Sequence, residues 1–326
     1  MKNILITGVA GFIGSNLANE CIKIGLNVDG VDDFSNGHKE FVPTGMGTLY
    51  SNDFSDKNIV DNVEHGVYDT IFHLAAMPRV SYSVEHPYET NDVNVTKTLK
   101  LFEALRKVGN RTKLIFASSS SVYGGATVDQ YGKVIGQSES DTKHPVSPYA
   151  LQKSIIEDYA VMYANYYKCN IASMRFFNVF GKNQLGGSPY STAISAWLTA
   201  IKFGKKLRFD GDGTQSRDMC HVDNVVHALI LAGKSANVFS GDVYNVATGT
   251  RISNNEILWL INQRLPNKGM IMAPTRMGDV KHTLANISKI KNDLKYEPIV
   301  DVKTGIDMTI DWYTTNWEQI KMLSSI

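Results

Sequence analysis

Tyr149 and Lys153 stand four residues apart in "SPYALQKS", which runs from Ser147 to Ser154. On a helix this spacing puts a phenol and an ammonium on one face, one turn apart. A tyrosine in water ionises near pH ~10. A neighbouring cation favours the phenolate. Such a phenolate can take the proton of a substrate hydroxyl while a hydride leaves the same carbon. The same pair also occurs on ordinary exposed helices. The chemistry therefore needs a hydride acceptor, a group to hold the reacting oxygen, and elements that bring the three together.

The third group is offered by "LIFASSSSVYGG", a serine run directly after an apolar strand-like stretch. In open α/β sheets ligands bind at that end of the strands. A serine there can hold an oxygen through its change from alcohol to ketone, although serine runs also serve plain turns. The acceptor is suggested by "TGVAGFIG" after the first strand. Gly8 permits a tight turn, Gly11 clears space for a pyrophosphate against the backbone, and Gly14 lets helix and strand pack closely. The helix start supplies free N–H groups and a positive dipole end. Asp32 and Asp33 close the second strand about 20 residues on, where a carboxylate bonds adenosine ribose hydroxyls. An acidic pair with no arginine following repels a ribose phosphate, which favours NAD over NADP. Asp53 in "SNDFSD" is placed to bond an adenine amino group, or to cap a helix.

The elements that position these residues alternate. "KNILIT", "GLNVDGVDD", "TLYSND", "DTIFHLAA", "TKLIFASSS" and "NIASMRFFN" read as six strands separated by helices. Unbroken apolar strands of this kind belong to a parallel sheet covered on both faces. "NVTKTLKLFEALRKVG" predicts a helix with Val95, Leu99, Phe102 and Leu105 on one face and Gly109 as its stop. Ser147 and Pro148 predict the cap and first turn of the helix carrying Tyr149. After residue 178 Gly and Pro become frequent and the pattern loosens. The expectation is an α/β, Rossmann-type doubly wound domain over 1–177. A smaller mixed α/β lobe over 178–326 follows, with one segment crossing back.

Composition narrows the function classes. The 33 basic and 32 acidic residues leave a net charge of +1, unlike a general nucleic-acid or membrane-surface binder. Cys21, Cys169 and Cys220 are far apart and make no CxxC site, so no metal and a reducing cytoplasmic setting are expected. The apolar run of "MKNILITGVAGFIG" is short and glycine-broken, a buried strand rather than a signal. No stretch approaches the roughly 20 apolar residues of a membrane span.

The order TGxxGFIG, acidic strand end, "FHLAA", "SSSSVYG", YxxxK and "RFFNVFG" resembles the extended short-chain dehydrogenase/reductases. More narrowly it resembles their nucleotide-sugar epimerases and dehydratases, over essentially the whole chain. The resemblance implies Ser119, Tyr149 and Lys153 as the catalytic set. It implies NAD contacts at Gly8, Gly11, Phe12, Ile13, Gly14, Asp32, Asp33, Asp53, Phe54, Leu74, Ala75, Ala76, Tyr149 and Lys153. His73 is expected to pack, and Asn94 to support the active-site end of a helix. For a UDP-sugar the resemblance implies Arg217, Arg276 and Asp279 at the nucleoside diphosphate, Asn178 near diphosphate and sugar, and Phe209 beside the base. It also implies Ser119 and Ser121 at the sugar.

Related dehydratases carry an Asp-Glu pair just before "VYG", where this chain has Ser120 and Ser121. That departure favours epimerisation at carbon 4. Thr283 falls where stricter UDP-glucose/UDP-galactose enzymes can carry tyrosine, which leaves room for an N-acetyl group or gates nothing. Arg79 replaces a small residue, and either binds a uronate carboxylate or points to solvent. The expectation is UDP-N-acetylglucosamine or UDP-N-acetylgalactosamine first, with UDP-glucose/galactose and UDP-glucuronate behind, and a homodimer. A net oxidoreductase and a non-catalytic NAD sensor are the readings from other classes.

Overall fold

The structure, a computed structural model, describes residues 1–187, 191–274 and 280–324. Its strands are β1 (Asn3–Thr7), β2 (Asn27–Val31), β3 (Leu49–Tyr50), β4 (Thr70–His73), β5 (Lys113–Ser119), β6 (Asn170–Phe176), β7 (Asn178–Phe180), β8 (Leu207–Asp210), β9 (Ser216–Arg217), β10 (Met219–His221), β11 (Ser240–Val246), β12 (Ile252–Ser253) and β13 (Met270–Ala273). Its helices are α1 (Phe12–Lys23), α2 (Lys57–Glu64), α3 (Val80–Glu85), α4 (Pro87–Asn91), α5 (Thr98–Val108), α6 (Pro148–Tyr167), α7 (Ala193–Lys202), α8 (Val222–Lys234), α9 (Asn254–Asn262), α10 (Ser288–Leu294), α11 (Val302–Thr315) and α12 (Trp317–Leu323).

Seven strands form one parallel sheet in the order β11-β6-β5-β4-β1-β2-β3. Successive side chains of a strand point to opposite faces, and here both faces are buried. Ile4 and Ile6 of β1 join Leu17 and Cys21 of α1 and Leu229 of α8 on one side. Leu5 joins Phe102 and Leu105 of α5 and Ile156 of α6 on the other. The sheet is thus sandwiched between helix layers, a Rossmann-type architecture. Six strands lie where the sequence pattern puts them. The seventh, β11, arrives from beyond residue 178: α8 crosses over, packs on α1 and β5, and delivers β11 beside β6.

The remaining chain makes a second lobe around Phe180, Trp197, Leu198, Phe209, Ile257, Ile306 and Tyr313. Among the described residues its strands pair in twos: β7 with β10, β8 with β13, and β9 with β12.

Two local details matter for the site. The Ser147 hydroxyl caps α6 by accepting from the Ala150 N–H at 3.2 Å, with Pro148 in the first turn. Residues Asp92–Lys97 form a π-helical turn running into α5. A π turn inserts an extra residue and rotates the face that follows. Leu101, Phe102, Leu105 and Val108 form the buried stripe, and Leu99, expected on it, is only half-buried.

Candidate active site

The glycine loop leaves β1 and touches the end of β4. Gly8 has φ +72°, and a Cβ there would lie 2.8 Å from the Ala75 amide nitrogen. A Cβ on Gly14 would lie 2.0 Å from the Gly8 carbonyl oxygen. Only hydrogen fits at either position. Gly11 starts α1 without any side-chain cap, so the first N–H groups of the helix face outward for an anion.

Asp32 ends β2 with its carboxylate fixed by backbone. It accepts from the Ala10 N–H at 2.9 Å and the Phe34 N–H at 2.9 Å. Burial pushes its pKa up, against the pull of those two bonds. Asp33 accepts from the Ser35 N–H and hydroxyl. Asp53 pairs with Lys97 at 2.6 Å. Burial alone would raise its pKa, but the Lys97 and Ser55 hydrogen bonds bring it below the usual carboxylate value.

These residues line one cleft of about 360 Å³ with Phe12, Ile13, Phe54, Leu74, Ala75, Ala76, Ser119, Tyr149 and Lys153. No arginine lines it among the described residues. A glycine cradle, an open helix start and two strand-end carboxylates fit NAD.

His73 is fully engaged, with Nδ1 2.7 Å from the Thr7 hydroxyl and Nε2 3.0 Å from that of Thr98. Burial, with Lys153 nearby, depresses its pKa to about 3. It is a neutral packing residue. Asn94 leaves the π turn to accept from the Met77 N–H and to donate to the Met77 carbonyl and to Gln152 of α6. It ties the loop after β4 to the helix carrying Tyr149.

At the other end of the cleft Ser119 closes β5. Its hydroxyl accepts from the Ser121 N–H at 3.2 Å and acts on Tyr149 to lower its pKa. Lys153 donates to the Ala117 carbonyl at 2.7 Å, and its Nζ lies 5.9 Å from the centre of the Tyr149 ring. Contrary to the expectation that Lys153 brings the phenol down, burial pushes Tyr149 up to about 12, with Ser119 pulling the other way. Burial likewise depresses Lys153 to about 8, opposed by Glu157. Desolvation is the largest influence on both groups.

The residues expected to meet a substrate form a second group. Thr283 is buried and its hydroxyl is in use: it donates to Asn178 Oδ1 at 3.2 Å and accepts from the Asp218 N–H at 3.1 Å. Asn178 sits between Phe177 and Val179, which do line the cleft. Arg217 on β9 donates to the carbonyls of Ser216 and Lys281. The ring of Phe209 is not in the cleft. It is buried at 3% exposure and stacked on Trp197, 5.5 Å between centroids, because β8 turns that face to the lobe's core. The Nε of Arg79 and the hydroxyl of Ser121 are buried with no hydrogen-bond partner among the described residues. Arg276 and Asp279 lie outside the described residues.

Sequence reasoning passed over Gln152, Ser83, Lys97 and Glu157. Ser83 accepts from the Tyr149 N–H. Glu157 follows Lys153 by four residues, and continuing the Tyr149–Lys153 stripe by one turn would have found it.

Residues 4–247 match the NAD dependent epimerase/dehydratase family. The chain is 30% identical to a UDP-glucuronate 4-epimerase of Thermodesulfobacterium geofontis, with 99% of each chain covered. Its structure is similar to that of a UDP-glucose 4-epimerase from Thermotoga maritima with UDP-glucose, with TM-score 0.88, 29% identity, and 97% and 99% of the chains covered. It is also similar to a UDP-N-acetylglucosamine 4-epimerase from Methanobrevibacter ruminantium in complex with UDP-N-acetylmuramic acid, with TM-score 0.86, 32% identity and the same coverage. The chain belongs to the NAD dependent epimerase/dehydratase family.

Proposed function

We propose that this enzyme is a UDP-sugar 4-epimerase, with UDP-N-acetylglucosamine and UDP-N-acetylgalactosamine as its substrate pair. The observation that carries the reading is the convergence of Ser119, Tyr149 and Lys153 at one end of the cleft, with serines at positions 120 and 121. A proton can be moved at carbon 4, and no carboxylate pair stands there for dehydration. When bound, NAD supplies the reversible two-electron acceptor that the reaction requires.

The chain's own residues do the rest. Tyr149 takes the proton of the carbon-4 hydroxyl and later returns it. Ser119 holds the same oxygen while it is a ketone. Lys153, fixed by the Ala117 carbonyl, supports the phenolate with its charge. The unpartnered Ser121 hydroxyl is a ready contact for the sugar. Arg217, Arg276 and Asp279 hold the nucleoside diphosphate, with guanidinium groups bonding phosphate oxygens in pairs. Asn178 and Thr283 hold the sugar side, and a threonine at 283 leaves space for an N-acetyl group. A cytoplasmic homodimer through α5 and α6 is part of the proposal, supported by exposed Leu151, Met162 and Tyr166 on α6 and by three free, buried cysteines.

A second reading rests on Arg79. Its buried, unpartnered Nε suits a carboxylate, which would make a UDP-uronate the substrate. A panel of UDP-sugars followed by proton NMR, without added reductant, separates the two. Carbon-4 inversion of UDP-N-acetylglucosamine is expected. Inversion of UDP-glucuronate alone would favour Arg79. NADH accumulating without inversion would replace the epimerase by an oxidoreductase. Tyr149→Phe should lower turnover by about 10²–10⁴-fold while UDP-sugar binding persists, and unchanged turnover ends this mechanism.

A further inference from the structure

Tyr149, Lys153 and Glu157 follow one another at four-residue intervals down the buried face of α6. Each meets a different residue at the end of β5. Tyr149 lies by Ser119, whose hydroxyl pulls its pKa down, Lys153 donates to the Ala117 carbonyl at 2.7 Å, and Glu157 Oε1 accepts from the Ser118 hydroxyl at 2.5 Å. Three consecutive strand residues thus face three consecutive helical turns, and the lower two turns are hydrogen-bonded to the strand.

The third attachment is secured from the next strand. Ser118 and Arg175 are register partners across β5 and β6, so their side chains share one face. Both meet Glu157. Arg175 Nε donates to Oε1 at 2.9 Å and Nη2 to Oε2 at 2.7 Å. The side chains of Arg175 and Glu157 are 3% and 2% exposed. Their bidentate geometry fixes the carboxylate's orientation as well as its charge.

We propose that Glu157 is a positioning residue of the active site: it clamps the end of β5 to α6 and so sets Ser119 against Tyr149 and Lys153. A buried ion pair is not needed for stability alone, because well-packed apolar residues often serve as well or better. This pair does what apolar residues cannot. It holds a hydroxyl of the strand adjoining Ser119 and keeps a negative charge one turn from the Lys153 ammonium.

Other charged groups around it are few. Lys143 lies 3.7 Å from Glu157 Oε2 and also pairs with Asp158. Glu139 reaches Arg175 through its carbonyl. His73 on β4 is held neutral. Tyr123 stacks under the Arg175 guanidinium at 4.6 Å and is kept protonated by burial. Removing the Glu157 charge therefore leaves Lys153 with less to oppose its burial, and its titration moves lower.

The inference rests on the roles proposed for Ser119, Tyr149 and Lys153, so its test has a readout outside catalysis. Lys153 is titrated by NMR in enzyme labelled at lysine Cε, its resonance assigned with Lys153→Arg. Glu157→Gln should lower the Lys153 midpoint, move the alkaline fall of kcat to lower pH, and reduce kcat by about 10²-fold with little change in KM. Ser118→Ala should reduce kcat less and leave the Lys153 midpoint in place. Because Glu157→Gln leaves Arg175 buried and unpaired, Glu157→Met/Arg175→Met is the check on folding. A folded double variant with lowered kcat and a lowered Lys153 midpoint supports the clamp. Wild-type kcat and midpoint in that double variant would overturn it and reduce the pair to packing. If Tyr149→Phe kept full turnover, the catalytic roles would fail instead, and the Lys153 midpoint would still report on Glu157.

Discussion

The glycine-loop end of the cleft is made of backbone, whereas the proposed substrate end is made of side chains held by short strand pairs. At the first, Gly8, Gly11 and Gly14 line the cleft without side chains, and Asp32 is itself pinned by two backbone N–H groups. All of it hangs from a seven-stranded sheet buried on both faces. At the second, Arg217 and Thr283 sit on or beside two-stranded ladders, and side-chain hydrogen bonds to neighbouring loops and strands help to set their positions. Backbone geometry leaves no small adjustments. Side chains on short ladders can be exchanged one at a time, so substrate choice can drift while the cofactor site stays fixed.

Substitutions in the two regions should therefore differ in kind. The largest effect is expected from Gly14→Ala. Its Cβ would sit 2.0 Å from the Gly8 carbonyl oxygen, and the start of α1 must move away from the strand. The purified variant should carry little or no NAD, read from the nucleotide released on denaturation. Stoichiometric NAD would break the contrast drawn here. Thr283→Val keeps the volume but removes a hydroxyl bonded to Asn178 and the Asp218 N–H. Losing such a bond costs about 1–3 kcal/mol, so kcat/KM for the UDP-sugar should fall by about tenfold or more, with NAD content unchanged. A loss of NAD in this variant would show that the regions are coupled.

The smallest effect concerns stability. His73 has a folded pKa depressed from 6.5 to about 3 by burial. Between those values the unfolded chain binds the proton and the folded chain does not, so stability is lost as pH falls through this window. His73→Gln should be destabilised at pH 7 yet lose less on further acidification, seen by comparing urea midpoints at pH 7 and 4.5. Equal slopes would mean His73 is protonated in the fold.

Local features were legible in the sequence. The glycine loop, six strands, and the Ser147–Pro148 start of α6 all depend on spacing within a few residues. What was not legible depends on partners far along the chain. "SGDVYNV" of β11 has no unbroken apolar run, and its pairing with β6 joins segments about seventy residues apart. Phe209 is expected beside the base from the resemblance, but the sequence does not say that its ring stacks on Trp197. The Tyr149 shift follows from burial, which only the packed fold creates. Leu99 packs at the edge of the stripe it was expected on, half-buried against the cluster of Val95, Phe102 and Leu105.

The late arrival of β11 also governs how the chain can be made. Synthesis releases β1 to β6 first, leaving β6 as an open edge with its hydrogen-bonding groups unpaired. Such edges recruit strands from other chains. The strand that covers it emerges only after β7 to β10 and α8. The two lobes are therefore not separable pieces. A fragment ending at residue 177 should sediment as aggregate, whereas one extended past β11 gains the strand that closes the sheet.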